Sequence, residues 1–224
     1  MWGRWPWPAA LLAAALVLPM TAAAQPQATG QAMVDAVARG DIASLDRLIA
    51  AGASLQATDA AGQTALLLAV RNDNLDAATR LIAAGADINA QAANRDTPWL
   101  LAGALGRTTM LRQMLPKGPD FSIRNRFGGN ALIPACERAH VDTVAFLVTT
   151  RIDINHINNL GWTCLLEIVI LGDGGPRHVE VARLVLGAGA DPSIADRDGV
   201  TPLQHARRRG QREVAALIEA AGGR

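Results

Sequence analysis

The feature that most constrains this chain is a phrase that returns at a near-constant interval. Asp59-Ala-Ala-Gly-Gln-Thr-Ala-Leu-Leu-Leu-Ala69 is completed by Leu81-Ile82 and by Gly85-Ala-Asp-Ile-Asn89. Aligned on Thr64, later copies fall at Thr97, Asn130, Thr163 and Thr201, so three steps span 33 residues and the last spans 38. Two residues after each anchor stands a large apolar side chain: Leu66, Trp99, Leu132, Leu165 and Leu203. Five after it stands a small or apolar one: Ala69, Ala102, Ala135, Ile168 and Ala206. One period before Thr64, Gln31 with Met33 and Ala36 opens the array as a degenerate copy. A unit this short cannot enclose a core by itself, so its apolar face must be buried against its neighbours, and the chain must stack in a line.

Each unit reads as two short helices. Threonine is a good N-cap because its hydroxyl accepts an orphan amide hydrogen from the first turn, and Pro98 and Pro202 suit the first helical position. A break follows about ten residues later at Gly40, Gly106, Gly172 and Gly210, as glycine just past a helix end predicts. The second helix carries Leu48-Ile49, Leu81-Ile82, Met114-Leu115, Leu147-Val148 and Val185-Leu186. An extended piece such as Asp87-Ile-Asn89 then leads into a turn with Gly62, Gly128, Gly161 or Gly199.

These residues resemble ankyrin repeats, whose pattern is a turn glycine, Thr-Pro-Leu-His-x-Ala, a mid-repeat glycine and Gly-Ala-Asp-x-Asn. The resemblance runs from about residue 27 to the C-terminus. It implies an all-α solenoid of about six helix-turn-helix repeats with short β-turn fingers. The repeats are placed at 31–57, 59–90, 92–123, 125–157, 158–195 and 196–224, within a repeat domain over 31–224. The family's histidine is replaced by Leu67, Leu100, Ile133, Leu166 and Gln204, which implies greasier packing. Arg95 occupies the turn-glycine slot of the third repeat, so a strained turn is expected there. Pro134 lies one turn into a first helix, where its ring crowds the carbonyl of Asn130, so that helix is expected to shift or start late.

Residues 1–24 fall outside the array. Arg4 precedes the apolar run Ala9 to Leu18, then Pro19 and Ala22-Ala23-Ala24, which is the layout of a secretory signal peptide cleaved after Ala24. The run is shorter than the roughly 20 residues a spanning helix needs, so no membrane association is expected after cleavage. Residues 25–30 read as a disordered lead-in. Losing Arg4 leaves 20 basic and 20 acidic residues. A neutral chain gives no reason to expect nucleic acid or an anionic membrane as partner. Arginine in place of lysine, with abundant alanine, reads as the codon usage of a GC-rich bacterium. With the signal, this points to a periplasmic or secreted monomer.

The chemistry-bearing residues are sparse. His140, His156, His178 and His205 are scattered one to a repeat without metal-ligand spacing, and the resemblance implies structural use for His140 and His178. The glycines recur at the repeat period and form no phosphate loop, and the serines lack a nucleophile-elbow context. Neither catalysis nor a cofactor or metal site is expected. Cys136 lies six residues after its anchor and Cys164 one after its own. First helices stacked roughly 10 Å apart, with the slots about 7 Å apart along the axis, would hold the Cα atoms beyond disulfide reach, so two free packed thiols are expected.

Binding remains as the route to function. The resemblance implies that partners touch the turn fingertips and the exposed side of the first helix, on the concave face. Transferred to this chain, those slots place Arg126, Phe127, Glu137 and Arg138 of the fourth repeat there. They add Asn159, Leu160, Trp162, Ile170 and Leu171 of the fifth, and Arg208 of the sixth. Exposed aromatics beside arginine have the composition of binding hot spots. The expected function is therefore a non-catalytic protein-protein interaction module, acting as adaptor, inhibitor or immunity-like factor. The alternative is an accessory or stress-protection factor for an enzyme, or an enzyme with its site in the groove of repeats four and five. The insertion Asp173-Gly-Gly-Pro-Arg177 reads as a surface loop.

Overall fold

The computed structural model describes the backbone from Ala24 to Arg224 and side chains from Thr29. The expected signal segment thus lies outside the described residues, apart from Ala24. Twelve α-helices are present among the described residues, and the one extended pairing is an isolated bridge between Thr58 and Thr64. They form six pairs: α1 (Ala24–Arg39) with α2 (Ile42–Ala50), α3 (Ala65–Arg71) with α4 (Leu75–Ala83), and α5 (Pro98–Ala104) with α6 (Thr108–Met114). Then come α7 (Leu132–Glu137) with α8 (Val141–Leu147), α9 (Cys164–Ile170) with α10 (Pro176–Gly187), and α11 (Pro202–Arg208) with α12 (Arg212–Ala220). First helices contact one another in series from α1 to α11 and second helices from α2 to α12. Substantial helix contacts join only members of one repeat or of adjacent repeats. The chain is a solenoid with one continuous core, and no helix of it is long and apolar enough to cross a membrane among the described residues.

The anchors do what their chemistry predicts. Thr64, Thr97, Thr163 and Thr201 accept from the amides of Leu67, Leu100, Leu166 and Gln204 at 3.1–3.3 Å. Gln204 returns the favour through its own side chain to the Thr201 amide, closing a capping box. The slots two and five after each anchor face inward: Leu66, Leu132, Leu165, Ala69, Ala102, Ala135, Ile168 and Ala206 are all at most 1 % exposed. Trp99 is buried as well and meets Phe121 edge to face at 5.7 Å. The loop asparagines stitch repeats together, Asn89 and Asn155 accepting from the amides of Asp120 and Asp191 one repeat on.

Four local expectations have outcomes. Helix α7 begins two residues after its anchor, where α3, α5, α9 and α11 begin one after. Asn130 covers the shortfall, its Oδ1 accepting from the amides of Leu132 and Ile133. Arg95 holds φ at +65°, in the left-handed region that its slot demands and a side chain resists. Gly172 is a glycine for a different reason from its counterparts. A Cβ there would collide with the Ile168 carbonyl and meet the His178 ring at 2.6 Å; the left-handed residue of that turn is Gly174, inside the insertion. Residues 25–30, expected as a lead-in, belong to α1, whose alanines and glutamines favour helix.

The two thiols are not free: Cys136 and Cys164 are joined by a disulfide, with their Cα atoms 5.6 Å apart. The expectation failed because it set the stacked first helices side by side and level. They are offset instead, so the C-terminal end of one leans on the N-terminal end of the next. The same slot pair one interface earlier shows it: a Cβ on Gly103 would come within 2.7 Å of the Ala131 Cβ. The offset cancels the assumed axial separation and brings the sulfurs into bonding range.

Candidate functional site

Between repeats four and five the concave side holds a groove of about 330 Å³. Its walls come from the two turn fingers and from α7 and α9. The finger of repeat four supplies Arg126 and Phe127, and its helix α7 supplies Ile133, Pro134 and Glu137; across from them stand Leu160, Glu167 and Leu171. The fingers are locked in step by a backbone bond from the Asn159 amide to the Phe127 carbonyl at 2.8 Å. Each finger is also held from within, because Asn125 Oδ1 accepts from Phe127 and Gly129 while Asn158 Oδ1 accepts from Leu160 and Trp162.

Three large apolar side chains are left in solvent around this groove: Phe127 at 51 %, Leu160 at 48 % and Leu171 at 49 % exposed. The Arg126 guanidinium lies 4.4 Å from the Phe127 ring centroid. Of the residues expected on the binding face, Arg126, Phe127, Glu137, Arg138, Leu160 and Leu171 line the groove together. Trp162 and Ile170 are half-buried, pack against the core and do not line the groove. Asn159 is exposed on the fingertip and holds register through its backbone. Arg208 is exposed on α11 and does not line the groove.

One residue escaped the sequence reading. Glu167 lines the groove yet is only 4 % exposed. Its Oε1 accepts from Asn158 Nδ2 at 2.9 Å, while Oε2 has no hydrogen-bond partner in the protein. Burial pushes its pKa up to about 7; the nearby charge of Glu137 adds to this, and the Asn158 bond opposes it. A signal was available, because the slot four after the anchor is Leu68, Leu101 and Pro134 in the preceding three repeats. An acid here departs from the apolar run of those three repeats, although the outer repeats place Asp35 and His205 in the same slot.

The histidines are engaged in holding the fold. His156 meets the Gly128 carbonyl at 2.6 Å, His178 bridges Asp173 and the Glu137 carbonyl, and His205 pairs with Asp196 at 2.7 Å. Burial is the main influence lowering the pKa of His140. No three metal-capable side chains gather among the described residues. The insertion is tied back to repeat four, since Arg177 Nε donates to the Ala139 carbonyl at 3.1 Å, and α10 starts within the inserted residues.

Comparison with known proteins agrees with this architecture. The family described as ankyrin repeats (3 copies) matches residues 33–125 and 99–196. The ankyrin repeat protein YahD of Escherichia coli strain K12 is 40 % identical over 188 residues, covering 84 % of this chain and 94 % of YahD. An ankyrin repeat domain from Acinetobacter baumannii AYE superposes with a TM-score of 0.83 at 47 % identity, covering 86 % of this chain and 98 % of that one. The ankyrin repeat protein EF0377 gives 0.82 at 37 %, with 85 % and 97 % covered. The ankyrin repeat domain of Bcl-3, a member of the IkappaB family, gives 0.76 at 25 %, with 86 % of each chain covered. With its period, its helix pairs and these relatives in agreement, the chain belongs to the ankyrin repeat family.

Proposed function

We propose that this chain is an exported, non-catalytic binding protein that captures a protein partner on the concave face of repeats four and five. Ankyrin repeats are in general protein-protein interaction modules. The observation that carries the finer reading is the groove itself, where Phe127, Leu160 and Leu171 stand about half exposed around one cleft with Arg126 stacked on the aromatic ring. Apolar anchors with an adjacent arginine are the residues that dominate binding energy at interfaces. The Cys136–Cys164 bridge supports export to the periplasm, because disulfides persist in oxidising compartments. The absence of catalysis rests on the family and on the site's composition: Glu167 is the perturbed carboxylate of the groove, and no nucleophile or histidine lines it.

A photo-crosslinking residue placed at Leu160 tests the reading in cells of the native host. One discrete protein adduct is expected in the periplasmic fraction, lost on Phe127→Ala. The same residue at Arg183, exposed on α10, is expected to give none. Equal labelling from both positions, or adducts only in the cytosolic fraction, would count against it.

A further inference from the structure

The concave groove carries an uncompensated pair of acids. Glu167 stands on α9 and Glu137 on α7, so the two face the same cleft from opposite walls. Neither forms an ion pair among the described residues. The groove's two arginines are committed elsewhere: Arg126 covers the Phe127 ring, and Arg138 Nη1 donates to the Ala104 carbonyl at 2.7 Å, toward repeat three.

The neighbouring repeat shows how the same positions look when they serve only the fold. In repeat six the turn residue Asp196 and the helix residue His205 occupy the slots of Asn158 and Glu167. Asp196 Oδ2 meets His205, and its Oδ1 accepts from the amides of Asp198 and Val200, so both carboxylate oxygens are satisfied. In repeat five the acid has moved to the helix and the turn residue is a neutral amide. Asn158 spends its oxygen on the turn and one amide hydrogen on Glu167, which leaves Glu167 Oε2 without a donor. A buried carboxylate oxygen left in this way costs free energy in the unbound protein and rewards any cation that supplies the missing donor.

We infer that the groove receives a lysine or arginine side chain of the partner protein, with its charged head at Glu167 and Glu137 and its aliphatic stem between Phe127, Leu160 and Leu171. The cleft has room for one long side chain rather than a helix, its walls are apolar where the methylene stem would lie, and two carboxyl groups stand where the charge would end. This inference rests on the concave-face reading and adds the chemistry of the residue that anchors there.

The test uses random twelve-residue peptides displayed on phage and panned against the full-length protein. Binding peptides are expected to share a basic residue beside an apolar one. Replacing that lysine by norleucine, or arginine by citrulline, in a synthetic copy is expected to weaken binding at least tenfold, a measurement that leaves the protein untouched. Glu167→Gln, with folding checked by circular dichroism, should produce a loss of similar size. Peptides that require Phe127 and Leu160 yet tolerate norleucine, or bind Glu167→Gln equally well, would overturn the inference while leaving the concave-face reading intact. Peptides indifferent to Phe127→Ala with Leu160→Ala would remove both.

Discussion

Reducing the Cys136–Cys164 bond is the perturbation whose size follows most directly from the structure. The bond closes a loop of 28 residues, and the chain-entropy relation gives about 12 cal/mol/K for that length, or about 3.6 kcal/mol at 25 °C. Both cysteines are at most 1 % exposed, so reduction has to be carried out on unfolded protein, which is then refolded in reductant. With a urea slope of about 1–3 kcal/mol/M, the midpoint of the reduced protein should fall by roughly 1 to 4 M. In a linear array the loss should also be local. Amide exchange should quicken in α7 and α9, while α3 and α4, two interfaces away, keep their protection. Mass spectrometry supplies the prior check: denatured, unreduced protein is expected to take up no alkylating agent. Addition of two alkyl groups under those conditions, or an unchanged midpoint on reduction, would refute the reasoning.

Other expectations are simpler to state. Glu167 binds its proton more tightly folded than unfolded, with its pKa raised from 4.5 to about 7. Its contribution is therefore harmless below about pH 4.5, falls as pH rises to about 7, and stays unfavourable by roughly 3 kcal/mol above that. Urea titrations of wild type and Glu167→Gln should show the variant gaining on the wild type between pH 5 and pH 8; parallel profiles would count against it. Leu132→Ala removes a fully buried side chain from the stack and should cost about 2 to 5 kcal/mol in the same assay. Arg95→Gly relieves a left-handed residue and should raise stability by about 1 kcal/mol, read as a higher Tm. Phe127→Ala with Leu160→Ala should leave Tm nearly unchanged and weaken partner binding by more than about 1 kcal/mol, measured by calorimetry.

The solenoid was legible because its information is redundant. One anchor can mislead, but Thr64, Thr97, Thr163 and Thr201 at fixed intervals report the same N-cap repeatedly, and the local anomalies at Arg95 and Pro134 could be read as departures from that frame. Exposure followed slot position for Phe127, Leu160 and Leu171, which stand around one groove. Trp162 and Ile170 turned out half-buried because slot position does not say which way a bulky side chain turns against an uneven core. The disulfide was missed for a geometric reason, since periodicity along the chain does not report how far one helix slides past the next. Glu167 is hard to single out in the sequence because its slot holds Leu68, Leu101 and Pro134 in the preceding repeats but Asp35 and His205 in the outer ones, so an acid there does not by itself separate a groove residue from a cap or turn partner.

That sliding has a further consequence. Cys136 immediately precedes Glu137, and Cys164 opens the helix that carries Glu167. The covalent link therefore works as the rivet of a pair of tongs: it holds the two jaws at one separation, and they cannot spread independently to admit a bulkier guest. If a partner side chain seats between them as proposed, its fit is set by two sulfur atoms that do not line the groove.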